Sequence, residues 1–270
     1  MARSHSEYFG AESQQSLQQR AEDLWTLVKD DPRFVTHGRA VGLSDYSDDN
    51  LAIQIAIARL LGASSLEGLT PDQASTRKAA LQDAGLATDE YEQWSGGPAS
   101  LDAARDILRQ RSLAPDLTLR HVDADTSPED LQVLDRLTQS CEVLLPRGPI
   151  LRGRELPSCF LFAQDRAGNI VGAAGAVAQF HKAHPKGGIF WWGMLATDDS
   201  RRGEGIALVL GAMAMLRMNE AFGYTDCFTG IRAGNAPSEA LCAKLGLSPS
   251  DTLVLIAIDP AMLAGGRVTK

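Results

Sequence analysis

The chain has 270 residues, of which 44% are apolar and 22% charged. These are ordinary values for a globular protein of one long or two shorter domains, and two are expected. Its formal net charge of -8 argues against a nucleic-acid or anionic-membrane partner.

Cys141, Cys159, Cys227 and Cys242 are widely spaced with no C-x-x-C pair. That pattern suits neither a zinc site nor a small disulfide scaffold, and it fits a reducing cytoplasm. Neither the apolar run of a signal peptide nor a stretch of roughly 18 apolar residues occurs, so a soluble cytoplasmic protein is expected.

Residues 1–115 read as a mostly helical domain. Amphipathic patterns run over 15–30, 50–62, 71–84 and 99–111, bounded by Gly, Pro, Asp or Asn. Thr70-Pro71-Asp72 opens the third, and Gly85 is placed to close it. Nothing in this half discloses a role.

Beyond Ser112-Leu113-Ala114-Pro115 the texture changes to short β-rich runs at 117–122, 158–165, 169–180 and 188–197. Asp165-Arg166-Ala167-Gly168-Asn169 is turn chemistry between two of these, so they should be antiparallel neighbours. A glycine-rich turn follows, then a helix from about 203 to 222, a strand 224–230, a helix 236–245 and a strand 252–258. In the long helix Ile206, Val209, Leu210, Met213 and Leu216 recur at helical spacing as a core stripe, and Gly223 is placed to stop it. The order is α+β, with residues 116–270 as the second domain.

The turn Ser200-Arg201-Arg202-Gly203-Glu204-Gly205 is the most informative segment. Two glycines permit a tight turn and close approach to a ligand, and the first amides of the following helix lack intrahelical partners, so the segment has the build of a phosphate cradle. It is not a dinucleotide fingerprint, because Leu208 stands where G-x-G-x-x-G needs its third glycine. No P-loop is present either.

This segment resembles the Arg/Gln-x-x-Gly-x-Gly/Ala signature of the Gcn5-related N-acetyltransferase (GNAT) superfamily, with Ser200 in the Arg/Gln slot. A second segment also resembles the family. Asn235, Ser238, Leu241, Cys242, Lys244, Leu245, Gly246 and Leu247 follow the spacing Asn-x-x-Ala-x-x-Leu-Tyr-x-Lys-Leu-Gly-Phe. It departs at Ser238 for Ala, Cys242 for Tyr and Leu247 for Phe. The resemblance covers about 117–260.

The resemblance implies a mixed, mainly antiparallel sheet flanked by helices, and an acetyl-CoA or other acyl-CoA co-substrate without a metal. It implies N-acyl transfer to a primary amine, small-molecule or peptide, by direct attack in a ternary complex. The pyrophosphate would lie on the amides of Arg201, Arg202, Gly203, Gly205 and Ile206, with the two arginine side chains positioned to add charge and Glu204 turned to solvent. Leu195, Thr197, Asn235 and Ser238 complete the implied cofactor-binding set. The Leu195 amide would face the acyl carbonyl, where one positioned donor is worth ~3 kcal/mol of barrier.

Cys242 occupies the slot of the family's acid, and its thiol reads either as a proton donor or as a buried apolar filler. No general base is evident in 188–197. His181 and His184 flank the strand in a loop; either imidazole could deprotonate an amine, but the loop is expected to be mobile and exposed, and as metal ligands the pair lacks a third partner. The resemblance also places substrate-contacting loops in the stretch 142–157, which is expected to shape the acceptor pocket. Of Trp191 and Trp192, on opposite faces of a strand, one should be core and the other should line the groove.

Two readings compete with an acetyltransferase: a non-catalytic acyl-CoA-binding or partner-binding module, and an enzyme moving a longer acyl or aminoacyl group. The N-terminal helices are open to three roles, a lid, a homodimer surface or a degenerate copy of the same fold.

Overall fold

A computed structural model describes residues 7–263. The first half runs α1 (Glu12–Val28), β1 (Phe34–Val35), β2 (Gly42–Leu43), α2 (Leu51–Leu61), β3 (Ala63–Leu69), α3 (Pro71–Asp83), β4 (Ala87–Gly96) and α4 (Pro98–Gln110). The second runs β5 (Thr118–His121), α5 (Pro128–Ser140), α6 (Gly148–Leu151), β6 (Ser158–Gln164), β7 (Ile170–Val177), β8 (Ile189–Thr197), α7 (Ile206–Phe222), β9 (Asp226–Ile231), α8 (Ala236–Lys244) and β10 (Ser248–Ile258).

Local chemistry sets many of these boundaries. Thr70 accepts the Gln73 amide while the Gln73 side chain returns to the Thr70 amide at 2.9 Å, a reciprocal cap on α3 with Pro71 at its first position. Ser127 Oγ caps α5 by accepting the Asp130 amide at 3.0 Å, without the return bond. Helix α7 starts at 206 rather than 203 because Gly203 and Gly205 take left-handed backbone angles, φ +84° and +81°, which a helix cannot absorb and which favour glycine.

All ten strands form one sheet, ordered β1-β2-β3-β10-β4-β9-β8-β7-β6-β5. Pairs β2·β3 and β8·β9 are parallel; the others are antiparallel. The order is pseudo-symmetric about the β10·β4 pair. The unit β2-α2-β3-α3-β4 is echoed by β8-α7-β9-α8-β10, and each unit inserts its last strand into the other's half of the sheet. Residues 7–115 thus contribute four strands as well as the four expected helices. Strands β3 and β4 were not anticipated, because their serines and carboxylates carry weak strand signals and the neighbouring ladders dictate the conformation instead.

Both faces of the sheet are covered. Along β6, Cys159, Leu161 and Ala163 pack toward α7, while Phe160 and Phe162 pack among the α5 and α6 residues. This is the two-residue alternation of a strand buried on both sides. A third cluster joins α1, α2 and α3 to β3 and to Leu255, Ala257 and Ile258 of β10. Leu255, fully buried, pairs with Leu66 on one side and Glu90 on the other.

A chain beginning at residue 116 lacks both neighbours of β10 and one neighbour of β9, so it should lose near-ultraviolet circular dichroism or precipitate. The full chain should melt in a single transition. Leu255→Ala should lower the stability of both halves together by about 2–5 kcal/mol in denaturant titration.

Candidate active site

Strands β8 and β9 pair at Ile189↔Asp226, Phe190↔Cys227 and Trp191↔Phe228, and there the ladder ends. On its other edge β9 is paired with β4 from Cys227↔Gly96 to Ile231↔Glu92, so past Phe228 it stays with β4 while β8 stays on β7. The two strands part and leave a crevice.

A bulge sharpens the parting. Gly193 pairs with Gly175 and Ala196 with Ala173, so Met194 and Leu195 together oppose Ala174, and Met194 is left-handed at φ +55°. Such a bulge leaves one residue of the strand outside the ladder.

The crevice opens into a cavity of about 220 Å3. Leu195, Asn235, Ser238, Cys242, Cys141, Val143, Trp191 and Phe228 of the second half line it. His37, Arg39, Glu67 and Tyr91 come from the first half. Trp191 faces the cavity. Trp192 is 1% exposed in the core, where its Nε1 donates to the Gly211 carbonyl at 3.0 Å.

The groups from the first half were not legible as site residues. Glu67, 5% exposed, stands among Leu66, Gly68 and Leu69 on β3. Its Oε2 has no hydrogen-bond partner. Burial pushes its carboxyl up to about 7, with the Lys186 charge and the Gln179 and Ser65 side chains pulling the other way. His37 and Arg39 sit on the tip between β1 and β2. Burial, then the Arg39 charge, lowers the His37 imidazole to about 3, so it is neutral at pH 7. The Arg39 guanidinium lies 5.2 Å from the Trp191 ring centroid, and burial lowers it to about 10. The only local sign of a site is a lone glutamate in an otherwise apolar run too short for a helix.

Outside the cavity, the glycine turn begins with a short 3-10 turn, Asp199–Arg201. The amides of Arg201 and Arg202 donate to the carbonyls of Asp198 (2.9 Å) and Asp199 (3.5 Å). Those of Gly203, Gly205, Ile206 and Ala207 have no acceptor among the described residues. A Cβ on Gly203 would meet nothing within 4 Å, so backbone conformation alone favours glycine there.

The flanking side chains pair with one another. Arg201 binds Asp116 at 3.0 Å and Glu204 at 2.6 Å, and Arg202 binds Asp199 at 2.6 Å. Glu204 therefore folds onto Arg201 instead of pointing free into solvent. Ser200 Oγ donates to Asp198 Oδ1 at 2.5 Å.

Thr197 ends β8, and its carbonyl accepts from Cys141 Sγ at 3.5 Å. Asn235 caps α8 by accepting the Ser238 amide at 3.4 Å. Burial pushes the Cys242 thiol up to about 12, so it holds its proton at neutral pH.

In the loop after β7, Lys182, Ala183 and Pro185 are exposed as expected, but His184 is not. His184 is buried, stacked on Phe180, with Nε2 2.6 Å from Asp45 Oδ2. Lys186 donates to the same carboxylate at 2.8 Å, so the loop is clamped to the first half. Neither His181 nor His184 lines the cavity. Among the described residues no group of three His, Cys, Asp or Glu side chains is arranged to hold a metal, and no helix is long and apolar enough to cross a membrane.

Among solved structures the chain is similar to a GCN5-related N-acetyltransferase from Kribbella flavida, with 15% identity, 91% of this chain and 95% of that chain covered and a TM-score of 0.51. It is also similar to a tandem GNAT protein from the clavulanic acid biosynthesis pathway (14% identity, 80% and 74% covered, TM-score 0.53). A Drosophila protein is a third (13% identity, 92% and 89% covered, TM-score 0.52). No protein-family model matches the chain, and no curated protein matches it in sequence. The fold is GNAT-like, a mixed α+β architecture with helices flanking a mainly antiparallel sheet.

Folded Glu67 keeps its proton up to about pH 7, whereas the unfolded carboxyl releases it near 4.5. The native state binds the extra proton, so wild type should lose stability relative to Glu67→Gln as pH rises through this window, by about 3 kcal/mol in all. Paired denaturant titrations from pH 4 to 8 measure the difference, which should level off above 7.

Proposed function

We propose that this protein is an acyl-CoA-dependent N-acyltransferase that moves an acetyl or related acyl group to a primary amine by direct attack in a ternary complex. The observation that carries this reading is the parting of β8 from β9 beside a helix start whose amides are free. A crevice between separated strands accepts an extended thiol-bearing arm, and unpartnered amides at a helix N-terminus suit a pyrophosphate. Gly203, Gly205 and Ile206 would hold that anion through their backbone, and the bulge at Leu195 would supply a donor to the acyl oxygen.

Bound there, the thioester supplies an electrophilic carbon. The amine nitrogen bonds to it as the carbon–sulfur bond breaks, and the amine's proton must be taken up. Glu67 is the base in this reading. It lies in the same cavity, its Oε2 is unpartnered, and a carboxyl with a pKa near the working pH combines a useful ionised fraction with useful basicity. That poised carboxyl favours catalysis over a binding-only module.

Cys242 is read as a wall of the pocket. Donation from its buried thiol would leave a thiolate in a site that disfavours one, so the departing thiolate takes its proton from water. The free state of all four cysteines fits a reducing cytoplasm.

Titrating the protein with acetyl-CoA in a calorimeter and following thiol release against a panel of amines tests the reading. Binding with turnover is expected; no binding at millimolar acetyl-CoA would contradict it. Glu67→Gln should lower kcat/KM by about 100-fold or more and remove the acidic limb near pH 7. Cys242→Ala should leave that limb in place and kcat within about threefold, as expected for a group outside the proton transfer. Gly203→Ala, strained by the positive φ, should weaken acetyl-CoA binding on the order of tenfold by misaligning the cradle amides.

A further inference from the structure

Arg39 differs from the other buried arginines. Arg147 pairs with Glu22 and Glu155, Arg152 pairs with Glu7, and Arg77 donates to Ser47, Asn50 and Gln54. Arg39 is 5% exposed and has no carboxylate partner among the described residues. Its Nε donates to the Leu144 carbonyl at 2.5 Å, and its terminal nitrogens have no acceptor there. Removing a guanidinium from water without a counter-ion is costly, and here burial lowers its pKa, an effect that the nearby Tyr91 only partly offsets.

The turn holds Arg39 in place by other means. Thr36 Oγ1 donates to the Ala40 carbonyl at 2.7 Å and accepts the Gly38 amide at 3.0 Å, while the Arg147 amide donates to the Gly38 carbonyl at 2.8 Å. The residue is fixed before any ligand arrives.

Glu67 lines the same cavity with its Oε2 unpartnered, and although the Lys186 charge acts on it, it forms no ion pair with Arg39. Two buried groups of opposite sign thus share one cavity without touching. A ligand satisfies both only if it brings an amine to one and an anion to the other, and the same cavity is also lined by Trp191 and the apolar Val143 and Phe228. A bidentate arginine fork matches a carboxylate in particular. The cavity, about 220 Å3, lies below the usual range for drug-sized ligands, so the ligand is small.

We infer that the acceptor is a small amino acid, an amine that also carries a carboxylate, with Arg39 holding the carboxylate and Glu67 facing the nitrogen. This rests on the N-acyltransferase reading. Arg39 then acts in specificity: it selects the acceptor and aligns its nitrogen, while Glu67 receives the proton.

The test uses the full chain with acetyl-CoA and a panel of matched probes. Glycine, β-alanine, 4-aminobutyrate, alanine, leucine and phenylalanine vary the spacing and bulk. Their carboxyl-free amines and carboxamides remove the anion. Thiol release gives kcat and KM, and calorimetry gives binding independently of turnover.

At least one amino acid should show a KM or Kd about 100-fold below that of its amide and amine, the effect of leaving a buried charge unpaired. Arg39→Gln should collapse that ratio toward one, and Arg39→Lys, which keeps the charge without the fork, should restore part of it. Carboxyl-free amines used as well as the amino acids would overturn the inference while leaving N-acyl transfer standing. Amino-acid binding that depends on Arg39 without any thiol release would support the recognition and contradict the transferase. No amino-acid binding, or binding that Arg39→Gln leaves unchanged, would overturn the inference.

Discussion

The structure depends on an exchange of strands at the centre of its sheet. β10 lies between β3 and β4, and β4 lies between β10 and β9, so neither half closes its sheet with its own chain. The backbone amides and carbonyls of β10 are paired only because residues 63–96 are in place on both sides of it. The same exchange builds the cavity wall. β9 stays on β4 after it has left β8, and Tyr91 of β4 and Glu67 of β3 line the same cavity as residues of the second half. The first half is therefore part of the site and not an appendage to it.

Within the pseudo-symmetric pair of units, the equivalent turns have diverged. After β8 the chain runs through Gly203 and Gly205 to free helix amides. After β2 it runs through Asp45, Asp48 and Asp49 to α2 with no glycine, and the Asp45 carboxylate is held by His184 and Lys186. Carboxylates at a helix start oppose a phosphate ligand as much as free amides favour one. One unit thus carries the glycine turn with unpartnered helix amides, and the other supplies the ionisable groups His37, Arg39, Glu67 and Tyr91 that line the cavity.

Legibility in the sequence followed the range of the forces involved. The helices at 71–83 and 98–110 and the hairpin at 165–169 are set by caps, prolines and turn residues within a few positions, so they could be read directly. The glycine turn at 203–205 was legible for the same reason, since a positive φ is a local demand. Strands β3 and β4 were not: Ser64, Ser65, Glu67, Asp89, Glu90 and Glu92 carry no strand pattern, and their conformation is imposed by β10, far away in the chain. Glu67, Arg39 and His37 become site residues only through that pairing, so no spacing rule could have found them. The loop at 181–188 looked exposed because its clamp, Asp45, belongs to the other half.

The central claim is that the parted strands and the free amides hold an acyl-CoA whose reactive end faces the ionisable groups of the first half. A crystal structure with desulfo-coenzyme A tests it most directly. The account predicts pyrophosphate oxygens on the amides of Gly203, Gly205 or Ile206, and a pantetheine arm between β8 and β9 ending at the cavity that holds Glu67. A crevice without ligand at saturating concentration, or a pyrophosphate seated elsewhere, such as at the start of α2, would contradict it.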